Sequence, residues 1–192
     1  MLKILFRGKA THTETMINKL LTEHNHIRRT LNLLEMQFLD LCRNKKPDFS
    51  MMRSIVVYVQ EYPELAHHPL EDMVYAILLK REEKVDLLQK LITDHTDLEM
   101  ITRNLRECVE SHLQGDFSEK KLKQLLSKFR IRQRQHLYAE EMEIYPLAQS
   151  SLTKEDWGKV QSVLPHGDDP VFGTRTREDY ELLYRQIESN GK

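Results

Sequence analysis

Two histidines in this sequence are each followed four residues later by a glutamate, His67 by Glu71 and His136 by Glu140. Residues four positions apart lie one above the other on the same face of a helix, so each pair would direct an imidazole and a carboxylate at one centre. Imidazole nitrogens and carboxylate oxygens are ligands that transition metals such as iron accept. The spacing therefore indicates a metal site, provided that the fold brings the two pairs together.

Two further histidines lie in segments that repeat each other. His24 lies within residues 19–27, KLLTEHNHI, and His95 lies within residues 90–98, KLITDHTDL. Together with the two His/Glu pairs, this repeat indicates that one helical hairpin is used twice in the chain. The two halves would then face each other across a pocket with twofold symmetry.

The composition favours helices as the elements that hold these residues. Charged residues make up 31% of the chain and hydrophobic residues 40%, with only six glycines and six prolines. This combination is typical of long solvated helices rather than of turn-rich sheets. At 192 residues the chain is long enough to bury a core without a disulfide framework. We therefore predict an all-α protein.

Apolar residues recur at helical spacing in four stretches of about 30 residues each. Because the connections are short, neighbouring helices should run antiparallel. This predicts an up-down-up-down antiparallel four-helix bundle over residues 11–149. Residues 150–192 are predicted to form a short helical C-terminal extension that packs on the bundle. The residues predicted to begin or end helices of the bundle are Thr11, Ser50, Gly115 and the run Asp116–Ser118.

Two prolines, Pro63 and Pro69, interrupt the second predicted helix. Each lacks a backbone donor and crowds the carbonyl group four residues earlier. We therefore expect this helix to be bent or interrupted between them, where His67 and His68 lie.

The four histidines should come to one level of the bundle. His24 and His95 lie at similar distances after the starts of their predicted helices, and His67 and His136 lie at similar distances before the ends of theirs. In an up-down-up-down bundle this puts all four within ~5 Å of one level. A single buried histidine is more often a hydrogen-bonded core residue than a ligand. Several such groups buried together would each cost on the order of 1–3 kcal/mol if unpaired, and a cation removes that cost.

The order of these motifs resembles the hemerythrin family, in its bacterial HHE cation-binding branch. The pattern is Glu-His on the first helix, His-His-Pro-x-Glu-Asp on the second, Asp-His on the third and His-x-x-x-Glu-Glu on the fourth, over about residues 13–149. The resemblance implies two non-haem irons (Fe2+/Fe3+), joined by an oxo or hydroxo bridge, with terminal histidines and two bridging glutamates. The implied metal ligands are His24, His67, Glu71, His95, His136 and Glu140.

The chain departs from the oxygen-carrying members of that family at one position. The carriers have a second histidine one turn after the ligand of the third helix, where this chain has Glu99. Glu99 could bind the metal, hydrogen-bond to a ligand from outside the site, or lie on the surface. The carriers also place the carboxylate of the fourth helix five residues after its histidine, which makes Glu141 the alternative to Glu140. His68 and Asp72 are the alternatives on the second helix.

The function that the resemblance implies is binding or sensing of a small oxidant or gas, namely dioxygen, nitric oxide or peroxide. The alternatives are a di-iron enzyme that reduces peroxide or nitric oxide, or that donates iron to damaged iron-sulfur centres, and a helical interaction protein with an incidental metal. The resemblance favours binding or sensing over turnover. No nucleophile triad, phosphate-binding glycine loop or cysteine metal cluster in the sequence argues for other chemistry.

The charge and the apolar runs limit the expected partners. The 29 Lys and Arg against 30 Asp and Glu give a net charge of -1, so no overall field draws the protein to nucleic acid or to an anionic membrane. The apolar run Met1–Arg7 is too short for a signal peptide, and no later run could span a membrane. We therefore expect a cytoplasmic protein, with Cys42 and Cys108 as reduced thiols. His26 is expected in solvent, the tyrosines are expected in packing positions, and a protein partner or an oligomer stays open.

Overall fold

The computed structural model describes residues 12–115, 118–164 and 167–190. Every regular element in these ranges is a helix and no strand occurs in them, which confirms the prediction of an all-α protein. None of the helices in these ranges is long and apolar enough to cross a membrane. Residues that carry sequence predictions but lie outside the described ranges are Met1–Arg7, Thr11, Asp116 and Phe117.

Eight α-helices are present in the described part of the chain, because π turns divide both the second and the fourth predicted helix. The α-helices are α1 (His12–Cys42), α2 (Phe49–Glu61), α3 (His68–Leu79), α4 (Val85–Leu113), α5 (Glu119–Ala139), α6 (Tyr145–Ser151), α7 (Lys154–Ser162) and α8 (Glu181–Asn190). The π turns are Pro63–His67 and Glu140–Ile144, and a 3-10 turn covers Glu178–Tyr180.

Local hydrogen bonds set the ends of several helices. The side chain of Asp48 accepts a hydrogen bond from the amide of Met51 at the start of α2, so the cap lies two residues before the predicted Ser50. Ser118 caps α5 in the same way. Gly115 follows α4 with a φ of 94°, a left-handed conformation that glycine adopts without steric cost, and it ends the third predicted helix as expected.

The first π turn lies between the two prolines of the second predicted helix. α2 ends at Glu61, and the amide of His68 donates to the carbonyl of Pro63, five residues earlier. Pro69 comes next and has no amide to donate, so a regular helical ladder cannot continue through it. The prediction that this helix is interrupted is therefore confirmed. His67 and His68 are both buried at this turn.

The second π turn, which the sequence analysis missed, follows the histidine of the fourth predicted helix. The amide of Tyr145 donates to the carbonyl of Glu140, and Pro146 comes next, as Pro69 follows His68. Residues five apart diverge by ~140° in an α-helix of ~100° per residue, whereas a five-residue hydrogen bond returns them to nearly the same side. Glu140 and Tyr145 are accordingly both buried.

Ion pairs between α1 and α5 show how these helices run. Glu35 of α1 pairs with Arg130 and Arg134 of α5. His24, earlier in α1, pairs with Glu141, which follows α5. Lower residue numbers of one helix therefore face higher numbers of the other, so the two helices are antiparallel.

Apolar side chains fill the interior in two clusters. One cluster is built by α2 and the adjoining parts of α1, α4 and α5, and it includes Leu34 and Phe129. The other is built by α3, α6, α7 and the starts of α1 and α4, and it includes Leu20 and Trp157. Along α1, along α4 and from α2 to α3, the buried histidines lie between residues of one cluster and residues of the other. We call this level the histidine layer, which comprises His24, His67, His68, Glu71, His95, His136 and Glu140.

The C-terminal extension packs against α1, α2 and α3. Before α8, the buried Asp169 accepts hydrogen bonds from the hydroxyl of Tyr58 at 3.0 Å and from the amides of Val171 and Phe172. Phe172 stacks on His26 with ring centroids 4.1 Å apart. The prediction that His26 lies in solvent is therefore wrong, because the extension covers this side of α1.

Replacing Asp169 with alanine should lower the free energy of unfolding by about 2–4 kcal/mol, because the Tyr58 hydroxyl and the Val171 amide would lose their buried acceptor. Urea unfolding of the full chain measures this change. Asp179→Ala is the control, since Asp179 is exposed and pairs with Arg177, and it should cost less than about 1 kcal/mol. Equal losses would mean that the hydrogen bonds of Asp169 do not anchor the extension.

Candidate metal centre

The histidine layer brings together all six residues that the sequence predicts as metal ligands. Each of them is exposed by 8% or less. They come from six different elements, so no single helix could build the layer alone. The six are His24 of α1, His67 of the first π turn, Glu71 of α3, His95 of α4, His136 of α5 and Glu140 of the second π turn.

His24, His67 and Glu71 form a first group of potential ligands, whose ligand atoms all lie within 4.8 Å of one another. Nε2 of His67 lies 3.1 Å from Oε1 of Glu71, and Nε2 of His24 lies 3.2 Å from the same oxygen. Ligand atoms that bind one cation at ~2.0–2.2 Å stand about 3 Å apart. These three atoms are therefore spaced like ligands of a single cation.

His68, Glu71, His95 and His136 form a second group with the same 4.8 Å limit between ligand atoms. Nε2 of His95 lies 3.5 Å from Oε2 of Glu71. Glu71 thus belongs to both groups, with Oε1 towards the first and Oε2 towards the second. The two groups of potential ligands thus share one carboxylate.

Glu140 lies between the same two groups. Its Oε2 is 3.4 Å from Nε2 of His24. Its Oε1 is 3.0 Å from Nε2 of His136 and 3.7 Å from Nε2 of His95. The two oxygens of Glu140 therefore divide between the groups as those of Glu71 do.

His68 is a ligand candidate that the sequence analysis leaves outside its six. It is 7% exposed, it stacks on His95 with ring centroids 4.1 Å apart, and its Nε2 has no hydrogen-bond partner in the described structure. Burial and the charge of His95 lower the pKa of His68 well below its usual value, so the imidazole is neutral, as metal binding requires. Adjacent residues of an α-helix point ~100° apart, which is why the sequence alone offers His67 and His68 as alternatives. The π turn lets both face the layer.

Buried polar atoms without partners mark the centre of the histidine layer. Each such atom costs ~1–3 kcal/mol when it is left unsatisfied. A cation that binds these atoms removes the cost, so the residues present fit a metal centre. Among the described residues, these atoms include Nε2 of His67, His68, His95 and His136, Oε2 of Glu71 and Oε2 of Glu140.

Each of the four histidines predicted as ligands has a carboxylate beside its other ring nitrogen, Nδ1. A carboxylate at this position orients a ligand histidine and raises its basicity. The pairs are His24 with Glu141 at 2.9 Å, His67 with Glu23 at 2.8 Å, His95 with Asp72 at 2.8 Å and His136 with Asp94 at 4.0 Å.

These four carboxylates form a closed ring around the bundle, which we call the carboxylate ring. Glu23 and Asp94 each precede a histidine of the layer, and Asp72 and Glu141 each follow a glutamate of the layer. Each carboxylate lies beside a histidine of another element. Glu23 of α1 pairs with His67 of the first π turn, and Asp72 of α3 pairs with His95 of α4. Asp94 of α4 lies beside His136 of α5, and Glu141 of the second π turn pairs with His24 of α1. The alternatives Asp72 and Glu141 therefore orient histidines and lie outside both groups of potential ligands.

Glu23 is held by further partners. It accepts hydrogen bonds from the hydroxyl of Tyr62 at 2.7 Å and from Nζ of Lys19 at 2.5 Å. Burial would raise the pKa of Glu23, but the hydrogen bond and charge of His67, with Lys19 and Tyr62, lower it to about 2. The carboxylate is thus ionised and fixes Nδ1 of His67, which leaves Nε2 facing the layer.

Two tyrosine hydroxyls also reach the layer, although the sequence analysis assigns the tyrosines to packing. Tyr145 donates to Oε1 of Glu71 at 2.5 Å and lies 2.7 Å from Nε2 of His24. Tyr75 donates to Oε1 of Glu140. Residue spacing gives no signal for these contacts, since Tyr145 reaches the layer through the unpredicted second π turn.

Glu99 belongs to neither group of potential ligands. Its side chain is 51% exposed and pairs with Arg103 at 2.6 Å. Of the three positions that the sequence leaves open for Glu99, the surface is the one observed.

The carboxylates around the layer raise the pKa of four of its five histidines, all except His68. Burial alone would lower the pKa of His95, but the hydrogen bond to Asp72 and the nearby carboxylates of Glu140 and Glu71 raise it to about 11. The charge of Glu140 and the nearby carboxylate of Asp94 likewise outweigh burial and raise the pKa of His136 to about 9. A metal must displace these protons, so metal binding should release protons and strengthen as the pH rises.

Comparison with protein families gives one match. The family model described as Hemerythrin HHE cation binding domain matches residues 15–148, a range that holds the whole histidine layer and the carboxylate ring. No curated protein and no solved structure is similar enough to this chain to be matched with it.

The metal-free protein should lose stability as the pH rises from about 6.5 to 9. A histidine with a raised pKa stabilises the fold fully below its unfolded-state pKa, and this contribution is lost as the pH rises through its folded-state pKa, about 9 for His136. The contribution of His136 to this loss should reach on the order of 3 kcal/mol. Urea unfolding with a chelator at the two pH values measures the loss, and His136→Gln should reduce it by that contribution, because His95 keeps its own raised pKa. An equal loss in the wild type and the variant would contradict the pairing of His136 with Glu140.

Asp72→Asn should weaken metal binding by roughly 10- to 100-fold, because His95 would lose the carboxylate that orients it. Competition against a chelator of known affinity measures the change. Asp97→Asn is the matched control, since Asp97 pairs with Arg132 on the surface. If Asp72→Asn also lowers the metal content at saturating metal, Asp72 is a ligand rather than an orienting residue.

Proposed function

The chain belongs to the hemerythrin family of HHE cation-binding domains, and we propose that it holds two non-haem irons with which it binds or senses a small oxidant or gas. Four helical rods in up-down-up-down order would surround the irons. Residues 11–149 would form the family domain and residues 150–192 its extension.

The observation that carries this proposal is the sharing of Glu71 by both groups of potential ligands, with Glu140 beside both. In the proposal Glu71 and Glu140 would both help to hold the two irons. The terminal ligands would be His24 and His67 at the first position and His68, His95 and His136 at the second.

Iron suits this donor set because imidazole and carboxylate are borderline to hard ligands and no thiolate is present. Both cysteines are free, with Cys42 exposed at the end of α1 and Cys108 packed in an apolar cluster away from the layer. When bound, the irons would supply open coordination positions and redox chemistry for dioxygen, nitric oxide or peroxide.

The protein's own residues make the two positions unequal. The first group contributes two histidines, and the second contributes three. The first position therefore has more room for an added ligand. Tyr145 lies beside it, within hydrogen-bond distance of His24 and Glu71, so its hydroxyl could donate to a small molecule there by giving up its hydrogen bond to Glu71. The apolar clusters on both sides of the layer keep bulk water away.

Protein from iron-replete expression should contain about two irons per chain, because two groups of ligands share their carboxylates. Elemental analysis measures the content, and a finding of zinc alone or of no metal would refute the proposal. Visible spectra after reduction and exposure to dioxygen, peroxide or nitric oxide then test the function. Reversible stoichiometric changes support binding, whereas catalytic loss of the oxidant would make the protein an enzyme.

His68→Ala should lower the iron content from about two to about one per chain, because the second position would keep only two histidines. Glu99→Ala is the matched comparison, since Glu99 occupies the place of the carriers' extra histidine in sequence but pairs with Arg103 in the structure. It should keep both irons. The opposite result would show that Glu99 is the ligand and that His68 is a core residue.

A further inference from the structure

A cavity of about 200 Å³ connects the histidine layer with the surface between α3 and α4. The buried His68 and His95 form part of its wall, so this wall belongs to the second group of potential ligands. Asp72 and Glu99 also line the cavity, and their side chains are about half exposed, at 52% and 51%. The cavity thus runs from an acidic mouth to two imidazoles, and Nε2 of each imidazole has no hydrogen-bond partner in the described residues.

Glu64 lines the same cavity from the first π turn. Its Oε1 is buried and has no hydrogen-bond partner in the part of the chain that the structure describes. Burial raises the pKa of Glu64 to about 7, and the negative charge of Glu99 adds to this rise, while a hydrogen bond to Thr102 and the charge of Arg103 oppose it. Glu64 is thus a partly buried carboxylate whose charged form is still disfavoured, and a cation beside it would stabilise that form.

We propose that this cavity is the route by which a divalent cation reaches the centre, with Glu64 as the carboxylate that binds the cation before His68 and His95 take it over. This inference rests on the proposed function, because it requires a metal at the second position. Glu64 lies outside both groups of potential ligands, so its role is in delivery and not in the final site.

A second cavity, between α1, the end of α2 and the C-terminal extension, is less suited to this role. It has a volume of about 280 Å³ and is lined by Lys19, Glu23 and Tyr62. Glu23 already forms hydrogen bonds with Lys19, Tyr62 and His67. These side chains therefore separate this cavity from the centre of the histidine layer. The ammonium group of Lys19 would also repel an approaching cation.

The rate of metal uptake tests the proposal directly. Metal-free protein is mixed with Fe2+ under anaerobic conditions, and the loss of free Fe2+ is followed by stopped flow with a chromogenic chelator. Glu64→Gln should slow uptake roughly tenfold, the lower end of the effect of focused charge on association rates, while the final content stays at that of the wild type. The wild-type rate should also fall as salt is added, and the rate of the variant should fall less.

Glu107→Gln is the matched control, because Glu107 lies exposed on α4, the helix that carries Glu99. It should take up Fe2+ at the wild-type rate. An unchanged rate in Glu64→Gln would overturn the proposal, and so would a lower final content, since Glu64 would then be a ligand. If the wild type itself takes up no Fe2+, the proposed function fails as well, and that outcome differs from an unchanged rate with full loading.

Discussion

The structure depends on the cost of burying five imidazoles and two carboxylates between two apolar clusters. Each of these groups is exposed by 8% or less, so most of their polar atoms must find a partner inside the bundle or a cation. The carboxylate ring satisfies the outer nitrogens of His24, His67 and His95, whereas Asp94 lies 4.0 Å from that of His136. Tyr75 and Tyr145 satisfy oxygens of the two glutamates. Most of the atoms of the layer that remain unsatisfied lie at the centre, where the Nε2 atoms converge. The fold thus places most unpartnered polar atoms of these groups at the centre of the histidine layer.

Protons and cations compete for the histidine nitrogens at the centre of the layer. In the metal-free protein the glutamates hold protons on the histidines, as the raised pKa values of His95 and His136 show. His68 differs, because the neighbouring charged histidines and burial keep it neutral. The bundle can therefore balance its buried charge without a metal, and a metal that binds must replace protons. Because His68 is neutral, its Nε2 can bind a metal without the release of an extra proton from the imidazolium form.

Much of this arrangement could be predicted from the sequence, because it follows from regular helices. The all-α class, the interruption between Pro63 and Pro69, and the convergence of the six chosen residues all depend on a period of about 3.6 residues. The features that were missed or wrongly predicted depend on departures from that period or on contacts between residues distant in sequence. The second π turn, the reach of Tyr145 and the inward position of His68 need a shifted backbone register. His26 is partly covered because Phe172 of the C-terminal extension stacks on it, and the periodicity of α1 gives no information on where the extension packs.

The π turns explain how the rods supply so many groups to one layer. A regular helix directs only residues three or four apart at the same side. The first π turn adds His68 to His67 and Glu71, and the second adds Tyr145 to His136 and Glu140. In both turns a proline follows the residue that donates the five-residue hydrogen bond, so the ladder cannot return at once to its regular form. The inequality of the two groups of potential ligands, two histidines against three, therefore originates in a proline-linked change of backbone register that brings His68 to the layer.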